Sequence, residues 1–165
     1  MRTMMARVLA TLFALMSLGA LALPAQAEEN ARSGNQLTAQ DVTAQDVLYR
    51  FQNLKTGQFL DDSWEYGLRA LPDYNNNHQL WIVHWWADDT YELKNVVTGR
   101  CIDDSFEYGL RTVQCYANNY QSWYLIPWID GSITWQNQKT KRAIDHSWEY
   151  GLRAYTLNYG EYQRW

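Results

Sequence analysis

From Tyr49 onward, apolar and polar residues alternate in short runs, as in Tyr49–Gln52, Gln58–Asp61, Leu68–Leu71 and Leu80–Trp85. The runs are separated by turn-rich stretches such as Lys55-Thr56-Gly57 and Asn75-Asn76-Asn77. A period of two over segments this short predicts strands. Written in rows of 42, the chain aligns with itself without a gap. Asn53, Asn95 and Asn137 share a column, as do Thr56, Thr98 and Thr140. Each row closes in glutamine, any residue, tryptophan: Gln79 and Trp81, Gln121 and Trp123, Gln163 and Trp165. The pattern predicts an all-β domain over residues 48–165, with repeats at 49–90, 91–132 and 133–165 and four strands in each, twelve in total. Alternation turns Leu60, Ile102 and Ile144 inward and Asp61, Asp103 and Asp145 outward. The three repeated tryptophans are expected in the core.

A propeller blade has a similar length and strand count, but propellers use about four to eight blades. Three copies point to a β-trefoil with pseudo-threefold symmetry. The repeats ending in Gln79-Leu80-Trp81, Gln121-Ser122-Trp123 and Gln163-Arg164-Trp165 resemble the ricin-B lectin-like β-trefoils. Within that family they are most similar to the actinohivin-type three-repeat bacterial lectins, whose copies also read N-x-x-T-G-x-x-L-D, then L-P, then Q-x-W. The resemblance covers Tyr49 to Trp165, and it implies sugar binding, no catalysis and one shallow pocket per repeat. It also matches Arg100-Cys101-Ile102-Asp103 and Cys115 to the repeat that holds that type's cysteines.

The loop Asp61-Asp62-Ser63-Trp64-Glu65-Tyr66-Gly67-Leu68-Arg69 returns as Asp103–Arg111, with Phe106 for the tryptophan, and as Asp145–Arg153, with His146 for the second aspartate. Seven of its nine positions are identical in all three copies, whereas residues 74–78, 116–120 and 158–162 have drifted apart. A carboxylate can accept hydrogen bonds from neighbouring sugar hydroxyls, an aromatic face packs on a pyranose, and a phenol or guanidinium completes the pocket. The candidate carbohydrate contacts are therefore Asp61, Trp64, Tyr66 and Arg69; Asp103, Phe106, Tyr108 and Arg111; and Asp145, Trp148, Tyr150, Arg153 and Asn158. In the resemblance, the aspartate opening each pocket is the principal sugar contact. Turn chemistry is the competing explanation: Asp61 and Ser63 cap a tight turn, Gly67 supplies a positive φ, and Glu65 pairs with Arg69. It does not account for bulky aromatics at a polar loop tip. Where the actinohivin type reads V-Y-T-L-P before an asparagine, this chain has Leu68-Arg69-Ala70-Leu71-Pro72-Asp73-Tyr74, and only Asn158 keeps the asparagine. The arginines suggest an anionic sugar group such as a uronate, a sialate or a wall phosphate.

Residues 1–27 carry Arg2 and Arg7, an apolar run from Val8 to Leu23, and Ala25-Gln26-Ala27, the arrangement of a secretory signal peptide cleaved after Ala27. Losing two of 14 Lys+Arg against 18 Asp+Glu moves the net charge from −4 to −6, which disfavours nucleic acid as a partner. Export places Cys101 and Cys115 in an oxidising compartment, where they are expected to pair, stabilising by ~3 kcal/mol for a loop of about 15 residues. No metal or cofactor is expected, since the three histidines lie at no ligand spacing, and no membrane insertion is expected after cleavage. A glycosidase is not expected, because it needs two carboxyls facing each other across a cleft at ~5 to 9.5 Å.

Residues 28–47 are polar, with T-A-Q-D-V twice in tandem, and predict a flexible tail. The third copy reaches Trp165 without the strand that follows Q-x-W in the others, so the tail or a partner strand is expected at that edge. The expected function is a secreted, extracellular lectin for glycans or cell-wall polysaccharide. The alternatives are a protein-docking adaptor subunit of a secreted assembly such as a toxin complex, contacting another secreted protein through the tail or that edge, and a trefoil protease inhibitor.

Overall fold

The computed structural model describes residues 46–165; the signal peptide expected at residues 1–27 and residues 28–45 of the expected tail lie outside them. Alternating segments form β1 (Asp46–Tyr49), β2 (Phe59–Ser63), β3 (Gly67–Leu71), β4 (Trp81–Trp85), β5 (Tyr91–Asn95), β6 (Cys101–Ser105), β7 (Gly109–Val113), β8 (Trp123–Pro127), β9 (Ile133–Asn137), β10 (Arg142–Ser147) and β11 (Gly151–Thr156). Two short 3₁₀ turns, Asn77–Gln79 and Glu161–Gln163, precede the closing tryptophans of repeats one and three. Eleven strands among the described residues replace the expected twelve, because Trp165 alone represents the last segment of the third copy.

The register repeats with the sequence. Hairpins β2–β3, β6–β7 and β10–β11 close at Ser63↔Gly67, Ser105↔Gly109 and Ser147↔Gly151. Strands β4–β5 and β8–β9 pair from Trp81↔Asn95 and Trp123↔Asn137. Tyr49 lies opposite Trp81 and Tyr91 opposite Trp123, while Ile133 and Trp165 exchange backbone hydrogen bonds of 2.9 and 2.8 Å. This is the β-trefoil predicted from the repeat. The described end of the tail does not cover the third repeat: Asp46 and Val47 lengthen β1 and pair with His84 and Val83 of β4.

The repeated motif residues have structural work. Leu60, Ile102 and Ile144 are fully buried with Trp81, Trp123 and Trp165 in one apolar cluster. Each indole N–H donates to the carbonyl of the aliphatic residue in its own repeat: Trp81 to Leu60 at 3.1 Å, Trp123 to Ile102 at 3.0 Å and Trp165 to Ile144 at 3.0 Å. A buried tryptophan needs such a partner, so the motif pairs a large apolar surface with a satisfied donor. The glutamines are buried too. Gln79, Gln121 and Gln163 donate to the carbonyls of Pro72, Gln114 and Thr156 and accept from the backbone N–H of Tyr74, Tyr116 and Asn158. They thereby tie the end of one strand to the loop that follows it. Cys101 and Cys115 form the expected disulfide, 14 residues apart in sequence.

Candidate functional site

Each repeated loop is a hairpin turn held by its own side chains. The Ser63 hydroxyl accepts the Tyr66 N–H at 3.1 Å, and Ser105 and Ser147 accept those of Tyr108 and Tyr150. Gly67 sits at φ 70°, a backbone conformation that glycine adopts at no steric cost. The turn leaves aromatic side chains in solvent: Trp64, Phe106 and Trp148 are 67%, 71% and 70% exposed. Tyr66, Tyr108 and Tyr150 beside them are also exposed. Their phenols hydrogen-bond the carboxylates of Glu65, Glu107 and Glu149, which raises their pKa above the ordinary tyrosine value.

The aspartates at the start of the loops do not point outward as alternation suggested. Asp61, Asp103 and Asp145 are 1%, 5% and 2% exposed. Opposite each in the hairpin register lies the arginine eight residues on. Arg69, Arg111 and Arg153 donate Nε–H to Oδ1 of these aspartates at 2.8, 3.2 and 3.0 Å. Their guanidinium carbons lie 4.8, 4.3 and 4.4 Å from the ring centroids of Tyr66, Tyr108 and Tyr150. This corrects two sequence expectations. Glu65 serves Tyr66 and leaves Arg69 to Asp61. The arginine charges are also matched by buried carboxylates, so they do not stand free for an anionic ligand. Burial pushes the Asp103 carboxyl above the usual carboxylate range, against the opposing pull of Arg111.

The second aspartate of each loop reaches the next repeat. Asp62 is fully buried and binds Arg100 through Nε at 3.1 Å and Nη2 at 2.5 Å, with Thr98 and Thr112 donating hydroxyls. Asp104 binds Arg142 through Nε at 3.0 Å and Nη2 at 2.5 Å, and accepts from Thr140. Arg100 and Arg142 continue under the exposed aromatics, 4.9 Å from the Trp64 centroid and 5.3 Å from that of Phe106. In the third copy His146 replaces the aspartate and Gln58 stands in the arginine column. His146 shares a hydrogen bond of 2.7 Å with the Thr56 hydroxyl and lies 5.9 Å from Trp148, edge to face. Burial holds its pKa below the ordinary histidine value, against the nearby Asp145.

In repeat three the candidate residues converge. A shallow cavity of about 250 Å³ is lined by Asp145, Trp148, Tyr150, Arg153 and Asn158, all expected from sequence, together with Ser147, Glu149 and Tyr162. Asn158 accepts the Gly160 N–H on Oδ1 at 2.8 Å, and its Nδ2 has no hydrogen bond among the described residues. The cavity thus gains a donor that Tyr74 and Tyr116 replace in the other copies. Tyr162 was missed because it lies in the segment that has drifted between repeats. Glu92, Cys101 and Cys115 lie together, but the disulfide uses both sulfurs and leaves no thiolate for a metal.

No family model matches the chain, and no curated protein matches it. Solved structures do. One is a ricin B-like lectin from Macrolepiota procera in complex with lactose, 17% identical, matched over 75% of this chain and 95% of its own, with a TM-score of 0.61. Another is the designed threefold-symmetric protein ThreeFoil, 17% identical over 72% of this chain and 95% of its own, at 0.65. A third is the BEL β-trefoil, 15% identical over 75% of this chain and 93% of its own, at 0.67. At these identities the likeness establishes the β-trefoil fold.

Proposed function

We propose that the protein is a secreted, non-catalytic lectin with one shallow glycan site per repeat, the third being the most complete. The observation that carries the reading is the convergence of Asp145, Trp148, Tyr150, Arg153 and Asn158 on one ring-sized cavity. An exposed aromatic face, a carboxylate and an amide donor match the alternating apolar and hydroxylated faces of a sugar. The lactose in the Macrolepiota neighbour accords with such a ligand on this fold. The Asp145–Arg153 pair is internally neutral, so the site favours neutral hydroxyl-rich sugars. Glycosidase chemistry requires a carboxyl free to give up its proton. Here Asp145 is tied to Arg153 and Glu149 to the Tyr150 phenol, which supports a binding role. The signal-like leader and the disulfide support export.

The test is a glycan and wall-polysaccharide array probed with the parent and with Trp64→Ala/Phe106→Ala/Trp148→Ala. These rings are chosen over the aspartates because removing a buried ion-pair partner costs about 3–5 kcal/mol and would threaten the fold. Binding by the parent that the folded triple variant loses is the expected result. A blank array, or binding that survives the three substitutions, would overturn the reading.

A further inference from the structure

The turn after β4 and the turn after β8 are copies of each other. Trp86 N–H donates to Thr90 O at 2.8 Å, and Trp128 N–H donates to Ser132 O at 2.9 Å. Asp88 Oδ1 accepts from the Thr90 amide and hydroxyl, and Asp130 Oδ1 accepts from those of Ser132. What faces the two turns differs. Beside the second turn, Arg164 stacks on Trp128, with Cζ 4.4 Å from the centroid. It also donates Nη2–H to Asp130 Oδ2 and Nε–H to the Ser132 hydroxyl at 3.0 Å. Tyr159 closes the remaining space, its ring 6.3 Å from Trp128. It does so from left-handed backbone at φ 61°, a region that disfavours bulky residues.

Exactly one repeat earlier in the alignment, Ser122 stands for Arg164 and Ala117 for Tyr159. Both side chains are too short to reach the turn, and a cleft of about 300 Å³ remains, lined by Trp86, Ala87, Asp88, Ala117, Asn119 and Ser122. The Trp86 ring, which meets His84 edge to face at 4.4 Å, and the Asp88 carboxylate are therefore presented without the guanidinium that their counterparts hold.

We propose that this cleft receives an arginine side chain of a partner protein, stacked on Trp86 and paired with Asp88 as Arg164 is with Trp128 and Asp130. The carboxylate is ready for it, since the Thr90 hydroxyl holds Asp88 below the usual carboxylate range and so ionised at neutral pH. Its present Oδ2 partner is the Gln138 amide at 2.9 Å, whose own Oε1 is buried without a hydrogen bond. A guanidinium replaces that amide with a charge-assisted contact and frees Gln138 to turn. The chain's net charge of −4 favours a cationic partner. A planar guanidinium suits an indole face and a carboxylate together better than an ammonium does. The cleft shares no residue with the candidate sugar sites, so the proposal stands apart from the lectin reading.

The experiment follows the Trp86 indole N–H, assigned with Trp86→Phe, in proton–nitrogen spectra of the full chain. N-acetyl-arginine amide is the probe; its citrulline and tyrosine counterparts and glucosamine are the comparators. The expected result is a saturable shift with the arginine probe at roughly millimolar concentration. Added salt should weaken it, Asp88→Asn should weaken it about tenfold, and Ser122→Arg, which installs the occupant used in the other turn, should abolish it. Where Ser122→Arg does not fold, Ala117→Tyr closes the same space and should remove the shift. The triple aromatic variant should retain it, which separates this result from the sugar test. No shift with arginine, an equal shift with citrulline, indifference to Asp88→Asn, or a response to tyrosine amide or glucosamine alone would overturn the proposal.

Discussion

His146 is where the threefold pattern breaks. Its neutral ring takes a hydrogen bond of 2.7 Å with Thr56 in a place where the other two copies bury an ion pair. Desolvation lowers its pKa from 6.5, so the folded state favours the neutral form more than the unfolded chain does. Its contribution to stability is therefore complete above pH 6.5 and is lost as pH falls from there toward the folded value, by about 1.4 kcal/mol for each unit of depression. His146→Gln removes this titrating ring and leaves the rest of the chain unchanged. Urea unfolding of parent and variant across this range should show the parent losing its advantage as the solution is acidified. Parallel curves would show that burial at this position does not disfavour the charged ring.

At the scale of elements, the hairpins are joined by clasps that run from one repeat into the next. Asp62 in β2 grips Arg100 just before β6, and Asp104 in β6 grips Arg142 at the start of β10. The third join, from β10 back to the segment before β2, has His146 and Gln58 instead. A carboxylate introduced there alone is buried and short of a cation, at a cost of about 3 kcal/mol or more. His146→Asp should therefore destabilise strongly. Adding Gln58→Arg should recover most of the loss, because Thr56 already stands where Thr98 and Thr140 support the other clasps. A double-mutant cycle by chemical denaturation measures the coupling; simple additivity would mean that the third join cannot adopt the geometry of the other two. The clasps were legible in principle, since aspartate and arginine leave their columns together, but the partners are 38 residues apart and belong to different repeats. Alternation did give the buried Leu60, Ile102 and Ile144. It misplaced Asp61 because a hairpin face that leaves the apolar core can still be covered, here by Arg69 directly across the pair. The exposure of Trp64, Phe106 and Trp148 was legible, since turn chemistry has no use for a tryptophan at a loop tip. Tyr162 was not, because a site wall that differs between copies looks like drift.

For the whole molecule, the 42-residue period matters more than any one pocket. Under the proposed lectin reading, a shallow site with one aromatic face binds a single sugar weakly, and three such sites on one trefoil act together only on a surface that repeats the ligand. The copies are unequal: Asn158 adds an amide donor to the third candidate site, while Tyr74 and Tyr116 stand in its place in the first and second. Two readouts should therefore diverge. In free-sugar titration, Trp64→Ala or Phe106→Ala should each reduce the number of sites by one and leave the tightest class intact, whereas Trp148→Ala should remove that class. On a dense glycan surface each single substitution should weaken apparent affinity about tenfold or more, because the loss of one foothold lowers the effective concentration advantage of the other two. Surface affinity that falls only for Trp148→Ala would mean that the first two loops are platforms without ligand. Their identity to the third would then reflect the shared Asp–Arg–Tyr scaffold, which all three hairpins need whether or not they meet a sugar.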